Sequence, residues 1–353
     1  MPDDLPFDPI PPFDQAAAEA ARARQNRLTK PTGSLGRLED LTVQLAGIQG
    51  KTIPDVDPAA IFVYAADHGV AARGVSAYPA EVTAQMVLNY ARGGAVINTL
   101  AAQIGAQLYV ADVGVAEDFP PELAIRHGKV RRGTADWTGG PAMTVAEARQ
   151  SLAAGYALFG EAGTVGIVLV GEMGIGNTTT AAALAAALTG CAPVDIVGRG
   201  TGVDAAGLVR KLTTIERGLA RHGSLTDPLE TLAALGGLEI AAMVGTMLAA
   251  ASHRVPILLD GFIATVAALT AARLDPAILP YFIGAHRSPE PGHAVLLDSL
   301  GLTPLLDLGL RLGEASGAAF ALPLVRLAVA VLRDVATFDE AGVSDKEERP
   351  SGT

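Results

Sequence analysis

The fold is decided by VGIVLVGEMGIGNTTTAAALAAALTG, residues 165–190. Its opening segment, VGIVLV, is short, β-branched and apolar on both faces, which is typical of a buried parallel strand. Asn177 and the threonines after it begin a helix, and the Ala/Leu run continues it. A helix that begins behind a glycine-rich turn offers backbone N–H groups and the positive end of its dipole to an anion. The stretch predicts a phosphate site, with an ordinary strand-to-helix turn as the alternative.

The glycine turn matches neither of two common phosphate motifs. No Lys follows its second glycine, as a Walker loop requires, and the three-glycine spacing of the dinucleotide fingerprint is missing. Glu172 stands at the mouth of the turn, where a carboxylate is unfavourable beside an anion. Since a purely structural turn has no need of that charge, Glu172 favours a functional site.

The composition indicates a large enzyme without a membrane segment. The 353 residues suffice for one large α/β domain or two smaller ones. Hydrophobic residues make up 50% and the mean hydropathy is +0.34, but Glu239 and Arg326 interrupt the longest apolar windows. The N-terminus is acidic and proline-rich, without a basic start or an apolar signal core. We expect a cytoplasmic protein.

Charge and cysteine content narrow the possible partners. A net charge of −11 without a basic block argues against nucleic-acid binding. The single Cys191 excludes an intrachain disulfide framework, and the six His form no cluster at zinc spacing. We therefore expect no metal site and no cofactor.

A recurring pattern, an apolar segment that ends in Asp and a small residue, predicts the architecture. It occurs as IFVYAADHG at 61–69, QLYVADVG at 107–114, VPILLDG at 255–261 and TPLLDLG at 303–309. Helical periodicity between these predicted strand ends indicates an α/β fold, a mostly parallel, Rossmann-like sheet with helices on both faces. In such sheets the ligand crevice lies at the carboxyl ends of the strands, where these Asp and Gly residues fall.

The two ends of the chain predict a second domain. We expect a large α/β domain over 56–312 and a small helical domain built from 14–55 together with 313–338. Residues 1–13 are predicted to be a flexible extension, and the charged tail at 339–353 is predicted to be disordered.

Three further motifs bear on chemistry. GRGTGVD at 198–204 is a second glycine-rich turn, and with Lys211 in the following helix it is a candidate second wall of the phosphate site. HRSPEPGH at 286–293 has more functional side chains than a structural loop needs. Glu314 lies at the start of an apolar helix, where it is either a carboxylate that interacts with the helix dipole or a partly buried general base.

Taken together, the motifs resemble a known family. KPTGSLGRLE, YAADHGV, GVSAYPAEVTAQM, GEMGIGNTT, GRGTG, LDGFI, HRSPEPGH and LRLGEASGA are similar, in this order, to those of the nicotinate-nucleotide:dimethylbenzimidazole phosphoribosyltransferases. The resemblance implies transfer of 5-phosphoribose from nicotinate mononucleotide to 5,6-dimethylbenzimidazole, with inversion at C1′, for the lower ligand of cobalamin. It also implies a homodimer. Other bases or phenolic acceptors, and a non-catalytic nucleotide-binding regulator, remain as alternatives.

The resemblance also implies roles for individual residues. Glu314 is the expected general base. The expected phosphate and nucleotide site comprises Glu172, Gly174, Ile175, Gly176, Asn177, Thr178, Thr179, Gly200, Thr201, Gly202 and Lys211. The expected base pocket comprises Ser76, Gln85, Met86 and Leu312. We add Ser288, Glu290 and His293 of HRSPEPGH as a possible substrate loop.

Overall fold

The chain divides into two compact units in a computed structural model that describes residues 7–200 and 202–344. The α/β unit contains the described residues up to Pro11 together with Asp57–Leu322. The helical unit contains Pro12–Val56 and the described residues from Pro323 onward.

The α/β unit is built on a six-stranded parallel sheet with the strand order β3-β2-β1-β4-β5-β6. The strands are β1 Ala59–Ala66, β2 Gln107–Gly114, β3 Arg126–His127, β4 Ile167–Met173, β5 Ile257–Leu259 and β6 Phe282–Gly284. Every residue of β1 is buried, so helices cover both faces of the central strands. The strand order reverses between β1 and β4, and a crevice at their carboxyl ends is the expected ligand site.

Fourteen α-helices are present in the described part of the chain. They are α1 Gln15–Arg27, α2 Arg37–Gln49, α3 Val82–Ala91, α4 Val96–Ile104, α5 Val145–Glu161, α6 Asn177–Thr189, α7 Pro193–Ile196, α8 Ala205–His222, α9 Pro228–Leu235, α10 Leu238–Ser252, α11 Phe262–Leu274, α12 Pro291–Leu300, α13 Ser316–Asp334 and α14 Phe338–Ala341. Helix α10 packs against α5 and against β1, β2 and β4. Its almost complete burial explains the continuous apolar sequence there.

The helical unit joins segments from both ends of the chain. Asp14 caps α1, and Gln25 of that helix donates to the Thr42 hydroxyl of α2 at 2.9 Å. The Arg24 side chain donates to the Leu332 carbonyl of α13 at 2.8 Å, which ties the last helices to the first.

The largest difference from the predicted domain boundaries lies at 313–322, and the other boundaries between the units differ by one or two residues. Residues 313–322, predicted to be helical-domain residues, belong to the α/β unit. Asp260 at the end of β5 accepts hydrogen bonds from the N–H groups of Gly317 and Ala318, at 2.7 and 3.1 Å. This carboxylate fixes the start of α13 to the sheet.

The two terminal predictions lie partly outside the described residues, which exclude 1–6 and 345–353. In the described part of the N-terminal stretch, the Phe7 ring stacks on Tyr156 at 4.7 Å between centroids. The Tyr281 hydroxyl donates to the Pro11 carbonyl at 2.7 Å. Residues 7–11 are therefore packed rather than flexible, and at the other end the described residues 339–341 are helical.

One predicted strand end is wrong. TPLLDLG forms no strand, and contributes only an isolated bridge between Leu306 and His286. The sixth strand is instead Phe282–Gly284, which is too short to show a pattern in the sequence.

Helix α13 is, within the described part of the chain, the one helix long and apolar enough to cross a membrane by length and composition. Of its most apolar window, 56% is buried inside the protein, as in many core helices. Length and composition alone are therefore weak evidence for a membrane span.

Candidate active site

The phosphate-type turn lies between β4 and α6, at the point where the strand order reverses. Gly176 caps α6 with φ +97°, a conformation that favours glycine. A Cβ on Gly174 would lie 2.3 Å from the Ala66 carbonyl at the end of β1, so only glycine allows this approach. The Ile175 N–H donates to the Thr83 hydroxyl at 3.0 Å. The Asn177 and Thr179 N–H groups donate to the Gly174 and Gly176 carbonyls, at 3.1 and 3.0 Å, so the remaining N–H donor at this helix start is that of Thr178.

Lys211 and Gly200 form a second wall beside this turn. The Lys211 ammonium donates to the Thr178 hydroxyl at 3.0 Å. A Cβ on Gly200 would lie 2.7 Å from that hydroxyl and 3.1 Å from Lys211 Nζ. Burial lowers the pKa of Lys211 to about 8, against an opposing effect of the Glu290 carboxylate, so the side chain is mainly charged near pH 7. Gly202 lines a neighbouring cavity, and Thr201 lies outside the described residues.

The HRSPEPGH loop supports the second wall through Glu290. Its Oε1 accepts a hydrogen bond from the Gly200 N–H at 2.9 Å. His293 instead lies in the protein interior, where Nδ1 accepts from the Ser288 N–H at 2.9 Å and Nε2 lies 3.1 Å from the Thr265 hydroxyl. Burial, with His286 and Arg287 nearby, lowers the pKa of His293 to about 3. With both ring nitrogens engaged inside the protein, neutral His293 supports the loop and does not line the cavity described below.

Glu314 lies on a strained turn across the cavity from the glycine turn. Glu314 and Ala315 both have φ +61°, in the left-handed region, and Gly313 has φ +85°. Non-glycine residues held there cost of order 1–3 kcal/mol each and cluster at functional sites. A Cβ on Gly171 would lie 2.2 Å from the Ala315 nitrogen, so β4 accommodates this turn only with glycine at that position.

The environment of Glu314 suits a general base. The residue is 6% exposed, and its Oε2 makes no hydrogen bond to the described residues. Burial raises the pKa of Glu314, while the nearby Tyr90 hydroxyl and Ile97 N–H lower the pKa and offset part of that effect. The Tyr90 hydroxyl acts at a distance or angle outside hydrogen-bond geometry, since it has no hydrogen-bond partner among the described residues. Burial and the carboxylates of Glu314 and Glu172 raise the pKa of Tyr90, so the phenol keeps its proton. A carboxylate with a raised pKa and a free oxygen can accept a proton from a bound ligand.

Glu172, like Glu314, has a raised pKa. Burial, followed by the carboxylates of Asp260, Glu239 and Glu314, raises the pKa of Glu172 well above its ordinary value. The Asn177 side-chain amide donates a hydrogen bond to Glu172 Oε2, which lowers this pKa and offsets part of the effect. The net upward shift favours the protonated form, which removes much of the charge conflict with a nearby phosphate.

These side chains meet in one cavity of about 100 Å³. The predicted residues that line it are Glu172, Gly174, Ile175, Asn177, Thr178, Gly200, Ser288, Glu290, Leu312 and Glu314. Other lining residues were not predicted, and the chemically important ones are Asp260, His286 and Arg311. Gly176, Thr179 and Lys211 support the wall from behind. Ser76, Gln85 and Met86 do not line this cavity.

A buried pair beneath the glycine turn also escaped prediction. His68 Nε2 lies 2.9 Å from Glu239 Oε1, and both side chains are fully buried. His68 Nδ1 lies 3.0 Å from the hydroxyl of Thr180 on α6. Because His68 follows β1, the pair anchors the start of α6 to that strand. The motif YAADHGV contains the histidine, but no sequence signal connects it to Glu239.

The residues that the structure describes were also considered as ligands for a metal ion. In 7–200 and 202–344, no group of three or more His, Cys, Asp and Glu residues could hold a metal ion.

Comparison with known proteins identifies the family. A family model described as "Phosphoribosyltransferase" matches residues 10–343. The nicotinate-nucleotide–dimethylbenzimidazole phosphoribosyltransferase of Chloroflexus aggregans is 53% identical over 344 residues, covering 96% of this chain and 97% of that protein. The Roseiflexus sp. enzyme of the same name is 52% identical over 342 residues, with 96% and 97% covered. The chain belongs to the nicotinate-nucleotide–dimethylbenzimidazole phosphoribosyltransferase family.

The solved structures agree with this family assignment. CobT from Thermus thermophilus superposes with a TM-score of 0.91 at 47% identity, covering 94% of this chain and all of that one. The predictions of the family, of a phosphoribosyltransferase and of an α/β fold with a parallel sheet are confirmed.

Proposed function

We propose that this phosphoribosyltransferase moves 5-phosphoribose from nicotinate mononucleotide to 5,6-dimethylbenzimidazole, giving α-ribazole 5′-phosphate and nicotinate, in cobalamin synthesis. The relatives' names supply the two substrates. The observation that carries the proposal is one cavity that contains both a phosphate-type turn and Glu314, a buried base with an unpaired oxygen.

The 5′-phosphate binds at the glycine turn. The N–H and hydroxyl groups of Thr178 face the phosphate oxygens at the positive end of the α6 dipole, and Lys211 reaches the site through Thr178 from the side of Gly200. Neutral Glu172 allows the anion to approach. Fixing the phosphate fixes C1′ of the ribose in the cavity, which supplies positioning.

The leaving group needs no general acid. In nicotinate mononucleotide the ring nitrogen is a cationic pyridinium, so when the C1′–N bond breaks its electron pair returns to nitrogen and neutralises that charge. Positive charge develops on the ribose, and the carboxylates of Asp260 and Glu314 in the cavity lining stabilise it. The chemistry is complete without a metal ion or a cofactor.

Glu314 assists the nucleophile. One nitrogen of the benzimidazole forms the new bond to C1′, and the proton on the other nitrogen passes to the Glu314 carboxylate. Attack occurs opposite to the departing nicotinate, so the β-linked nucleotide yields an α-linked product. General-base catalysis of this kind contributes about 10²–10⁴-fold to the rate.

The acceptor pocket is the least constrained part of the site. Leu312 lines the cavity and is 53% exposed. Met86 lies one helical turn before Tyr90 on α3, and residues four apart share a helix face, so Met86 is on the side that faces Glu314. Ser76 and Gln85 lie outside the cavity, so we keep other benzimidazoles and phenolic acceptors as alternative substrates.

Release of nicotinate tests the reaction. Purified protein is incubated with nicotinate mononucleotide, with and without each of a panel of bases, in buffer containing EDTA. We expect free nicotinate only when a base is present, an α-linked product by NMR, and at least about a 100-fold lower kcat in Glu314→Gln. Absence of release with every base would refute the transferase, and near-normal kcat in Glu314→Gln would refute the base assignment.

The assembly and location that we propose are a cytoplasmic homodimer with no nucleic-acid or membrane partner. Phe320 of α13, in the α/β unit, is an apolar side chain that is 47% exposed, and a second copy would cover it. Sedimentation equilibrium of Phe320→Ser, which should shift the protein toward monomer, tests it.

A further inference from the structure

A surface cavity of about 290 Å³, which we call the arginine cavity, is lined by three arginines. It shares no residue with the cavity that contains Glu314. Its lining residues are Arg73, Thr138, Val209, Arg210, Thr213, Thr214 and Arg217. Among the described residues no carboxylate lines it, although the whole chain has a net charge of −11. Clustered positive charge on an acidic protein attracts anions to this place.

One wall of the arginine cavity is a face of α8. Arg210, Thr213 and Arg217 are three, four and seven residues apart, so they lie on one side of the helix. Lys211, next to Arg210 in the sequence, is instead buried and donates to the Thr178 hydroxyl. Helix α8 therefore directs Lys211 to the proposed substrate phosphate site and the two arginines to a separate cavity.

Arg73 is held in place on a second wall. Its Nε donates to the Asp136 carboxylate at 2.7 Å, and one Nη donates to the Thr138 hydroxyl at 2.9 Å. The Asp136 carboxylate also accepts from the Thr138 N–H at 3.0 Å, which fixes its own position. Asp136 thus offsets one of the three positive charges. A guanidinium that is already ordered loses little entropy when it binds an anion.

The other two arginines keep donors for a ligand. Arg210 uses Nε to donate to the Gly74 carbonyl at 3.1 Å, which leaves both Nη groups. The Arg217 guanidinium makes no hydrogen bond or ion pair to any residue in the described ranges. Like charges brought into one cavity repel each other, and a bound anion removes that repulsion.

We propose that the arginine cavity binds the phosphate group of a small ligand, separately from the substrate phosphate site. Guanidinium forks match phosphate oxygens bidentately, and the Thr213 hydroxyl is a further donor. The volume leaves room beside one phosphate for a second phosphate or for an organic group. Val209, which is 63% exposed, offers an apolar edge to an organic group.

Calorimetric titration of pyrophosphate tests the site. The protein is first saturated with nicotinate mononucleotide, without a base, so that the proposed substrate phosphate site is occupied. We expect one pyrophosphate to bind per chain, at least about tenfold more weakly in Arg217→Met and less weakened in Arg217→Lys. Arg217 is exposed, so its replacement leaves the core packing intact. Absence of pyrophosphate binding to the wild type, or unchanged affinity in Arg217→Met, would overturn the proposal.

The matched control is Arg273→Met. Arg273 is exposed and donates to one backbone carbonyl, as Arg210 does, but it does not line the arginine cavity. It should bind pyrophosphate as the wild type does, and an equal loss in both variants would show a general effect of charge and refute the site. The same dependence on Arg217 should appear without the nucleotide, so the test holds even if the proposed reaction fails.

Two further titrations identify the source of the phosphate group. Inorganic phosphate and a nucleoside diphosphate are compared with pyrophosphate in the wild type and in Arg217→Met. Tighter binding of the nucleoside diphosphate would indicate an organic phosphate that uses Val209, whereas tighter binding of pyrophosphate or phosphate would indicate an inorganic anion. In either case the affinity must fall in Arg217→Met, and its failure to do so for all three anions would refute the site.

Discussion

The glycine turn at 174–176 and the Glu314 turn form opposite sides of one cavity by different physical means. The glycine turn is shaped by its backbone, since its special residues lack side chains and allow β1 and α6 to approach closely. The Glu314 turn presents a single side chain, held in a left-handed conformation that its residue type disfavours. The proposed phosphate site therefore rests on local geometry, whereas the position of the proposed base rests on strain imposed by distant packing.

Gly171→Ala should give the largest effect, because it removes the space that the Glu314 turn occupies. The new Cβ would meet the Ala315 nitrogen at 2.2 Å, so the turn must move and Glu314 with it. We expect kcat to fall at least about 100-fold, as for loss of a general base. Affinity for nicotinate mononucleotide, measured by calorimetry, should change much less because the glycine turn follows three residues later.

The control for that substitution is Gly160→Ala on α5, where a Cβ meets nothing within 4 Å. It should leave kcat unchanged. If Gly171→Ala instead weakened nucleotide binding as strongly as it lowers kcat, the two turns would not be separable.

Lys211→Met should show the opposite behaviour to Gly171→Ala, with a large loss of nucleotide binding and little change in kcat. Lys211 does not line the cavity and acts on the proposed phosphate through Thr178, and loss of such a charged hydrogen bond costs about 1.5–3 kcal/mol, so KM for the nucleotide should rise about 10–100-fold with kcat within a few fold. The wild type should also bind the nucleotide more weakly as the pH rises through about 8, where free Lys211 loses its proton. A pH series of nucleotide affinity checks both, with exposed Lys51→Met as control.

The glycine turn could be predicted from the sequence better than the Glu314 turn could. Strand β4, the glycines and the start of α6 lie within 26 consecutive residues, so local pattern is sufficient. The contact between Tyr90 and Glu314 joins residues more than 200 positions apart, and the positive φ of Glu314 follows from packing against β4. Neither is visible in local periodicity. Strand β6 was missed because three residues show no period.

Tyr90→Phe should shift the pH profile rather than abolish activity. As the proposed base, Glu314 can accept a proton only when it is ionised, so the rate should be present above its pKa and be lost as the pH falls through that pKa. The Tyr90 hydroxyl lowers the pKa of Glu314, and its removal therefore moves the acidic limb of kcat to higher pH. The kcat on the alkaline plateau should stay close to that of the wild type.

The control for loss of a phenol is Tyr109→Phe. The Tyr109 hydroxyl donates to the side chain of Gln107 on the protein surface. That variant should keep the wild-type profile. A Tyr90→Phe profile displaced to lower pH would show that the hydroxyl does not stabilise the carboxylate.

Ala315→Gly should give the smallest effect and stabilise the protein. Alanine at φ +61° carries a strain of about 1–2 kcal/mol, which glycine removes. The added freedom of glycine in the unfolded chain costs about 0.5–1 kcal/mol, so a net gain of about 0–1.5 kcal/mol remains. Ala330→Gly in regular α13 should instead destabilise by about 1 kcal/mol. Denaturant unfolding of both variants decides the point, because equal destabilisation would mean that the Glu314 turn stores no strain at Ala315.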